Sequence, residues 1–448
     1  MDNIIRLVSA FELKVNVRNA SGQRLKDKKM ENSPGFNTKM LHGKAAHGYG
    51  QGEILPPISQ VTAFSYESME ELEKVFSHKS MGYAYTRIGN PTLSAFEQKI
   101  NELEGGIGAI SCSSGMSAIS AALLTVCESG DEIIAGSGLY GGSIDLFHDL
   151  EKFGIHTRFA KVLNKENIES LITERTRVVF GELISNPSLN VLDVAGAAEA
   201  AHNAGIPLFV DSTTATPYLT QPLSLGADVV IHSTSKYING GGNAIGGIIV
   251  DSGKFKWDFE KHTALSEFKK YGKMAFLLRL RTDLWENLGG CMAPMNAYLS
   301  FIGADTLGLR MERICGNADA LAKALDREED ISVNYLTLDS HPYHQYVDKE
   351  LGGYGGGILT FRAGSKERAF KIINNLRFAL IASNIGDLRT LVIHPASTLY
   401  LKSGKAETEA AGVFEDTIRV SVGIEDKEDL INDFLDAVRE SRSNEQRA

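Results

Sequence analysis

The chain has no apolar run near the ~20 residues that a membrane-spanning helix requires, and it has no excess of positive charge. Its 46 lysines and arginines are outnumbered by 56 aspartates and glutamates, for a net charge of −10 at pH 7. That balance argues against nucleic acid or an anionic membrane as the main partner. Cysteine is scarce. Cys112, Cys127, Cys291 and Cys315 are widely spaced, with no C-x-x-C pair. Neither a disulfide framework nor a cysteine zinc site fits this spacing, which suits a reducing cytosol, so a cytoplasmic location is expected. No secretory leader is expected, because the apolar stretch at residues 4–8 is too short for its apolar core. Asp2, Glu12 and Asp27 break the acid-poor composition of a mitochondrial presequence.

What is present describes a large globular protein. A chain of 448 residues buries a sizeable core and divides into two domains or more. Residues 1–35 read as a disordered leader, because the basic run Lys26-Asp27-Lys28-Lys29 has no apolar face to bury. Residues 1–29 add no motif. Met30 is therefore the expected natural start, and a chain beginning there is expected to keep its activity and stability. Residues 36–83 read as an N-terminal arm, extended over 40–62 where Gly, His and Pro accumulate. A large domain over 84–290 and a C-terminal domain over 291–448 complete the division.

The large domain is organised around residues 208–236. An apolar strand, Leu208-Phe209-Val210, ends in Asp211. A second, Val229-Val230-Ile231-His232, leads into Ser233-Thr234-Ser235-Lys236. Two buried strands thus deliver a carboxylate and a lysine to the C-terminal edge of a parallel sheet, where α/β proteins bind ligands. A lysine among apolar neighbours can lose its proton and act as a Schiff-base nucleophile. A carboxylate beside it can keep a pyridine nitrogen protonated. From these strands alone, a helix-capping Asp211 and a solvated Lys236 read equally well.

Along the rest of the chain, a helix is predicted over Met69–Phe76. Tyr85 and Arg87 precede an Asn-Pro turn, and the next helix runs from Pro91 to Leu103. The strand Gly108–Cys112 is followed by Ser113-Ser114-Gly115-Met116 and a helix to about Val126. Small residues at such a turn make an anion site, although a serine cap explains them as well. Strands at 132–135 and 177–182 and a helix over Val194–Asn203 continue an alternation that signals a largely parallel α/β sheet. Residues 251–289 read as charged and irregular. A helical region over 295–325 is expected to break at Gly303-Ala304-Asp305, with Asp305 capping the second piece. Glycines at 352–357 serve turn geometry before a strand at 358–361. A helix at 365–378, a strand at 417–422 containing Arg419 and a last helix at 427–440 make this half α+β. His341-x-x-His344 has no further ligand set beside it and reads as surface, so no metal is expected.

Several motifs in register resemble one family. They are Tyr85-Thr86-Arg87-x-x-Asn90-Pro91-Thr92, Ser114-Gly115-Met116, Leu139-Tyr140-Gly141-Gly142, Asn186-Pro187, Asp211 and Ser233-x-Ser235-Lys236. Asn384-Ile385-Gly386-Asp387, His394-Pro395-Ala396-Ser397 and Arg419-Val420-Ser421-Val422-Gly423 follow. Over about residues 36–440 the chain resembles the pyridoxal-phosphate enzymes of cysteine and methionine metabolism, the trans-sulfuration family. The resemblance implies a fold-type I α/β architecture, with a mostly parallel sheet in a large domain and a smaller C-terminal α+β domain. It implies pyridoxal 5'-phosphate as cofactor, bound covalently by Lys236, with Asp211 on the pyridine nitrogen, Tyr140 stacked on the ring and Asn186 on the phenolic oxygen. The phosphate falls to the backbone of Gly115 and Met116 and to the hydroxyls of Ser233 and Ser235. Tyr85 and Arg87 would reach it from a neighbouring subunit, in a homotetramer built from dimers with shared sites. Arg419, with Asn384 beside it, would clamp the substrate α-carboxylate.

Within this family the chain looks closest to the O-acetylhomoserine sulfhydrylases. Lys236 and Pro294 are 58 positions apart, where that branch carries an insertion. Gly142 stands where methionine γ-lyases have cysteine. The expected reaction is γ-replacement on O-acetylhomoserine by sulfide or a small thiol, giving homocysteine or methionine. The alternative is a γ-lyase acting on methionine, cystathionine or homocysteine. A third reading, a catalytically silent cofactor-binding interaction protein, is opposed by the intact Lys236, Asp211, Tyr140 and Arg419. Departures from the family pattern are Ser212, Gly241, Met295 and Tyr400.

Overall fold

The computed structural model describes residues 34–43, 53–77, 79–401 and 404–442. The expected leader and its basic run lie almost wholly outside these residues. Phe36–His42 forms a helix rather than the start of an extended arm. Met40 is buried, and Phe36 packs edge-on against Tyr218 at 5.2 Å between ring centroids.

Seven strands form the first sheet: β1 (Gly108–Cys112), β2 (Glu132–Gly136), β3 (His156–Ala160), β4 (Thr176–Glu182), β5 (Leu208–Asp211), β6 (Val229–His232) and β7 (Gly247–Asp251). Their spatial order is β1-β7-β6-β5-β4-β2-β3. All neighbours run parallel except β7, which is antiparallel to both β1 and β6. The central strands are apolar runs because helices cover the sheet, leaving no wet side on which alternation would appear. The helix Gly115–Val126 packs on β6 and β7, and Val194–Asn203 packs on β4 and β5. β3 was not legible because it is a half-exposed edge strand of sequence His-Thr-Arg-Phe-Ala.

Residues 251–289 correct the sequence reading in part. Residues 252–262 are irregular, but the rest is helical: Thr263–Met274 is 3-10 helix, Ala275–Arg279 α-helix, Leu280–Trp285 a π turn and Glu286–Leu288 a final helical turn. The changing pitch, with a kink at Gly272 (φ 54°), breaks the 3.6-residue pattern that would have shown it. Leu265, Phe276, Leu280 and Trp285 are nevertheless fully buried. Phe276 meets Phe209 of β5 edge-on at 5.6 Å, and Trp285 donates from Nε1 to the Ser111 carbonyl at 2.6 Å. Each such aromatic contributes about 1.5–3 kcal/mol by burial, enough to hold a polar segment on the sheet.

The second sheet has order β10-β11-β12-β9-β8, from β8 (Ser332–Asn334), β9 (Ile358–Arg362), β10 (Leu380–Ile381), β11 (Leu391–Ile393) and β12 (Thr417–Ser421). The helices Leu307–Leu325, Lys366–Asn375 and Lys427–Arg442 accompany it. The break between Pro294–Ala304 and Leu307–Leu325 lies where expected, but Asp305 does not cap the second helix: Thr306 holds that position, and Asp305 ends the first. Its carboxylate pairs with the buried Lys99. The helix expected at 365–378 is shorter, because Ser365 is its cap and the Asp433 carboxylate takes the N–H groups of Arg377 and Phe378. His341 is also corrected: it is buried rather than on the surface, accepts the Tyr343 N–H at 3.1 Å, and burial pulls its pKa down to about 4. Among the described residues, no three or more His, Cys, Asp or Glu groups are placed to hold a metal ion, and no helix is long and apolar enough to cross a membrane.

Candidate active site

One cavity of about 780 Å³ opens at the C-terminal ends of β4, β5 and β6, and Arg419 of β12 in the second sheet also lines it. Strand geometry delivers its charged groups. β4, β5 and β6 end in register, with Glu182 opposite Asp211 and Asp211 opposite Ile231. Asp211 and Glu182 therefore sit side by side on one face of the sheet. Asp211 Oδ1 accepts the Thr213 N–H at 2.9 Å. Burial raises its pKa, and the Thr213 contacts oppose that rise.

Lys236 lies in the turn after β6. Its Nζ donates to Asn384 Oδ1 at 2.6 Å, and burial, aided by the positive charge of Arg419, pulls its pKa down to about 8. Arg419 is central in β12, between Ile393 and Thr360, and is only 3% exposed. It donates to the Asn384 carbonyl at 3.0 Å and to Asn186 Oδ1 at 3.4 Å, while its buried Nε has no partner among the described residues. Burial lowers its pKa to about 10. A cation costly to bury thus lines the cavity, where a bound anion would offset that cost.

The opposite wall is the start of the helix Gly115–Val126. Ser114 caps it by accepting the Ser117 N–H at 3.0 Å, so the cap and the anion site are the same turn. Ser233 is so close that a Cβ on Gly115 would lie 2.7 Å from the Ser233 Cβ, and only glycine lets the two loops meet. The Ser235 hydroxyl is engaged by Gly246, donating to its carbonyl at 3.1 Å and accepting its N–H at 3.0 Å. Tyr140 precedes the helix Gly141–Glu151, with its side chain partly exposed on the cavity wall.

The fold therefore brings Gly115, Met116, Tyr140, Asn186, Asp211, Ser233, Ser235, Lys236, Asn384 and Arg419 to one cavity. It does not bring Tyr85 and Arg87 there within a single chain. Both are exposed, with the Arg87 guanidinium 5.5 Å from the Tyr85 ring and donating to the Glu286 carbonyl at 2.7 Å. Sequence reasoning missed Glu182, Thr213 and Asn243, which also line the cavity. Glu182 ends a strand, the signal that pointed to Asp211, and the same argument would have found it.

An anion-receptive helix start, a lysine and a carboxylate around one cavity suit a ligand with a phosphate, a carbonyl and a basic ring nitrogen. Residues 37–439 match the family described as Cys/Met metabolism PLP-dependent enzymes. The chain belongs to that family. Its fold is the fold-type I α/β architecture of these enzymes, and its cofactor is pyridoxal 5'-phosphate. The chain is similar to a homocysteine synthase of Schizosaccharomyces pombe, at 39% identity over 90% of this chain and 98% of the relative. An L-methionine gamma-lyase of Fusobacterium nucleatum is 36% identical over 89% of this chain and 97% of its own length. A Campylobacter jejuni structure described as an O-acetylhomoserine (thiol)-lyase superposes with a TM-score of 0.86 at 33% identity, covering 90% of this chain and 99% of that one. That structure carries N'-pyridoxyl-lysine-5'-monophosphate.

Proposed function

We propose that the protein catalyses γ-replacement on O-acetylhomoserine, in which sulfide or a small thiol takes the place of acetate to give homocysteine or methionine. The observation that carries this reading is the similarity to a homocysteine synthase along 98% of that relative's length. When bound, pyridoxal 5'-phosphate supplies an electron sink for the substrate's α-carbon. In this reading Lys236, which loses its proton near pH 8, anchors the cofactor covalently and then moves protons at the substrate. Asp211 keeps the ring nitrogen protonated, Tyr140 stacks on the ring, and Asn186 bonds the phenolic oxygen. The N–H groups of Gly115 and Met116, with Ser233 and Ser235, hold the phosphate. Arg419 grips the substrate α-carboxylate, with Asn384 linking it to Lys236. These contacts orient the α- and γ-carbons before any bond changes.

The reading includes Tyr85 and Arg87 of a second subunit at the phosphate, a homotetramer built from dimers, and a cytoplasmic location. It places domain limits at 84–290 and 291–448, the first preceded by an arm over 36–83. The exposure of Tyr85 and Arg87, away from their own chain's cavity, supports the shared site.

A γ-lyase is the second reading, favoured by the similarity to the methionine gamma-lyase. Gly142 speaks for the first. A Cβ at that position would lie 2.6 Å from Tyr140 Cε1, so the cysteine expected of a lyase requires the ring to move. Supplying O-acetylhomoserine with and without sulfide, and identifying the products, tests the proposal.

A further inference from the structure

Glu182 faces the cavity but has no part in the reading above. It ends β4 directly opposite Asp211. Its Oε1 accepts the backbone N–H of Tyr140 at 2.7 Å. This contact reaches back along the chain to the turn before the helix Gly141–Glu151. Behind the carboxyl lies a second, small cavity of about 60 Å³, lined by Ser137, Gly138, Leu139 and Lys161. Glu182 is a wall shared by both cavities, so the Tyr140 turn rests on this side chain with open space beneath it. Among the described residues no side-chain cap holds the start of the helix Gly141–Glu151, so the Glu182 bond is a side-chain tether there.

We propose that Glu182 is a positioning residue: by accepting the N–H of Tyr140 it fixes that residue at the cavity, and it acts through reach rather than through negative charge. The proposal rests on the reading of Tyr140 as a cofactor contact. The surroundings favour a carboxyl that works without its charge. Asp211 faces it from β5, and Tyr400 from the segment after β11 also feels it. Burial first, and then Asp211, push the Glu182 pKa up to about 8. A protonated carboxyl keeps a carbonyl oxygen to accept an N–H, and so does a glutamine amide. An aspartate keeps the acidity but falls one methylene short.

The test compares Glu182→Gln with Glu182→Asp by hydrogen–deuterium exchange of peptides spanning residues 138–144, at pH 7, with and without bound cofactor. Exchange at Tyr140 is expected to stay slow in the glutamine variant and to quicken at least tenfold in the aspartate variant. With cofactor bound, the aspartate variant is also expected to show a shifted visible absorbance band and dichroism, with the glutamine variant restoring both. Fast exchange in the glutamine variant, or slow exchange in the aspartate variant, overturns the proposal. If the aspartate variant does not fold, the glutamine variant alone decides by the same criterion. None of these readouts needs a substrate, so they stand apart from whether O-acetylhomoserine is turned over. With turnover in hand, the aspartate variant is expected to lose kcat at least tenfold with KM within about twofold.

Discussion

Asn384 accepts a 2.6 Å hydrogen bond from the Nζ of Lys236, 148 residues earlier in the chain. Its backbone carbonyl takes the guanidinium of Arg419 at 3.0 Å. The lysine in the turn after β6 and the arginine on the second sheet are thereby tied to one residue. In the proposed reaction that link sets where the substrate's carboxylate lies relative to the group that moves its protons.

Lys236→Ala is expected to abolish the covalent cofactor band and turnover together. Loss of the proton shuttle alone costs roughly 10²–10⁴-fold in rate, before the lost anchor is counted. Visible absorbance and a turnover assay check it, and near-normal turnover would contradict the role given to this lysine.

The depressed pKa of Lys236, about 8, gives a pH dependence of definite sign. Below pH 8 the amine is charged and cannot attack a carbonyl. Covalent capture of pyridoxal phosphate by the cofactor-free protein is expected to rise about tenfold per pH unit up to that point and then level off. Because the folded value lies below the unfolded value of about 10.4, this lysine also makes the cofactor-free fold gain stability from pH 8 to pH 10. A capture rate still rising steeply above pH 9 would count against the assignment.

How much of this was legible in the sequence depends on the residue. Asp211 ends a short apolar strand and Lys236 lies in the turn after the next, so parallel strand ends made both candidates; the resemblance then chose between site and surface. Arg419 is different. It lies inside a strand of the second sheet, and only tertiary packing carries it to Asn186 and Asn384; the resemblance named it, but periodicity could not. Glu182 carried a usable signal that was passed over. Residues 251–289 hid their helices because the pitch changes at Gly272 and again at Leu280. Asp305 looked like a cap from local chemistry, but a buried lysine 206 residues away claims its carboxylate.

Arg419→Lys keeps the charge and loses the planar fork. An arginine-to-carboxylate bond contributes about 1.5–3 kcal/mol, so kcat/KM is expected to fall roughly 10–100-fold with little change in the cofactor spectrum. Steady-state kinetics beside an absorbance spectrum separate these effects. A lost spectrum would give Arg419 a cofactor role instead.

Arg87→Ala is expected to weaken cofactor retention although Arg87 lies outside its own chain's cavity. Mixed oligomers of Arg87→Ala and Lys236→Ala subunits are expected to regain part of the activity, because a hybrid site can pair an intact lysine with an intact arginine. Verified hybrids with no activity would place both groups on one chain.

Glu97 bears on stability rather than chemistry. Its buried carboxylate accepts the Ser111 N–H at 2.8 Å and the Arg281 guanidinium at 2.7 Å, holding the helical segment before Trp285 to β1. Glu97→Ala leaves both donors unpaired and is expected to cost about 3–5 kcal/mol. Thermal unfolding of the cofactor-free protein measures it; an unchanged transition would show that the segment is held by its apolar contacts alone.

The central claim is replacement at the γ-carbon, and product partition tests it most directly. Purified holoenzyme is given O-acetylhomoserine across a range of sulfide concentrations, with homocysteine, acetate, 2-oxobutanoate and ammonia measured together. The account predicts one homocysteine for each acetate, at a rate that rises with sulfide. Release of 2-oxobutanoate and ammonia in step with acetate, whatever the sulfide concentration, would contradict it and make the protein a lyase.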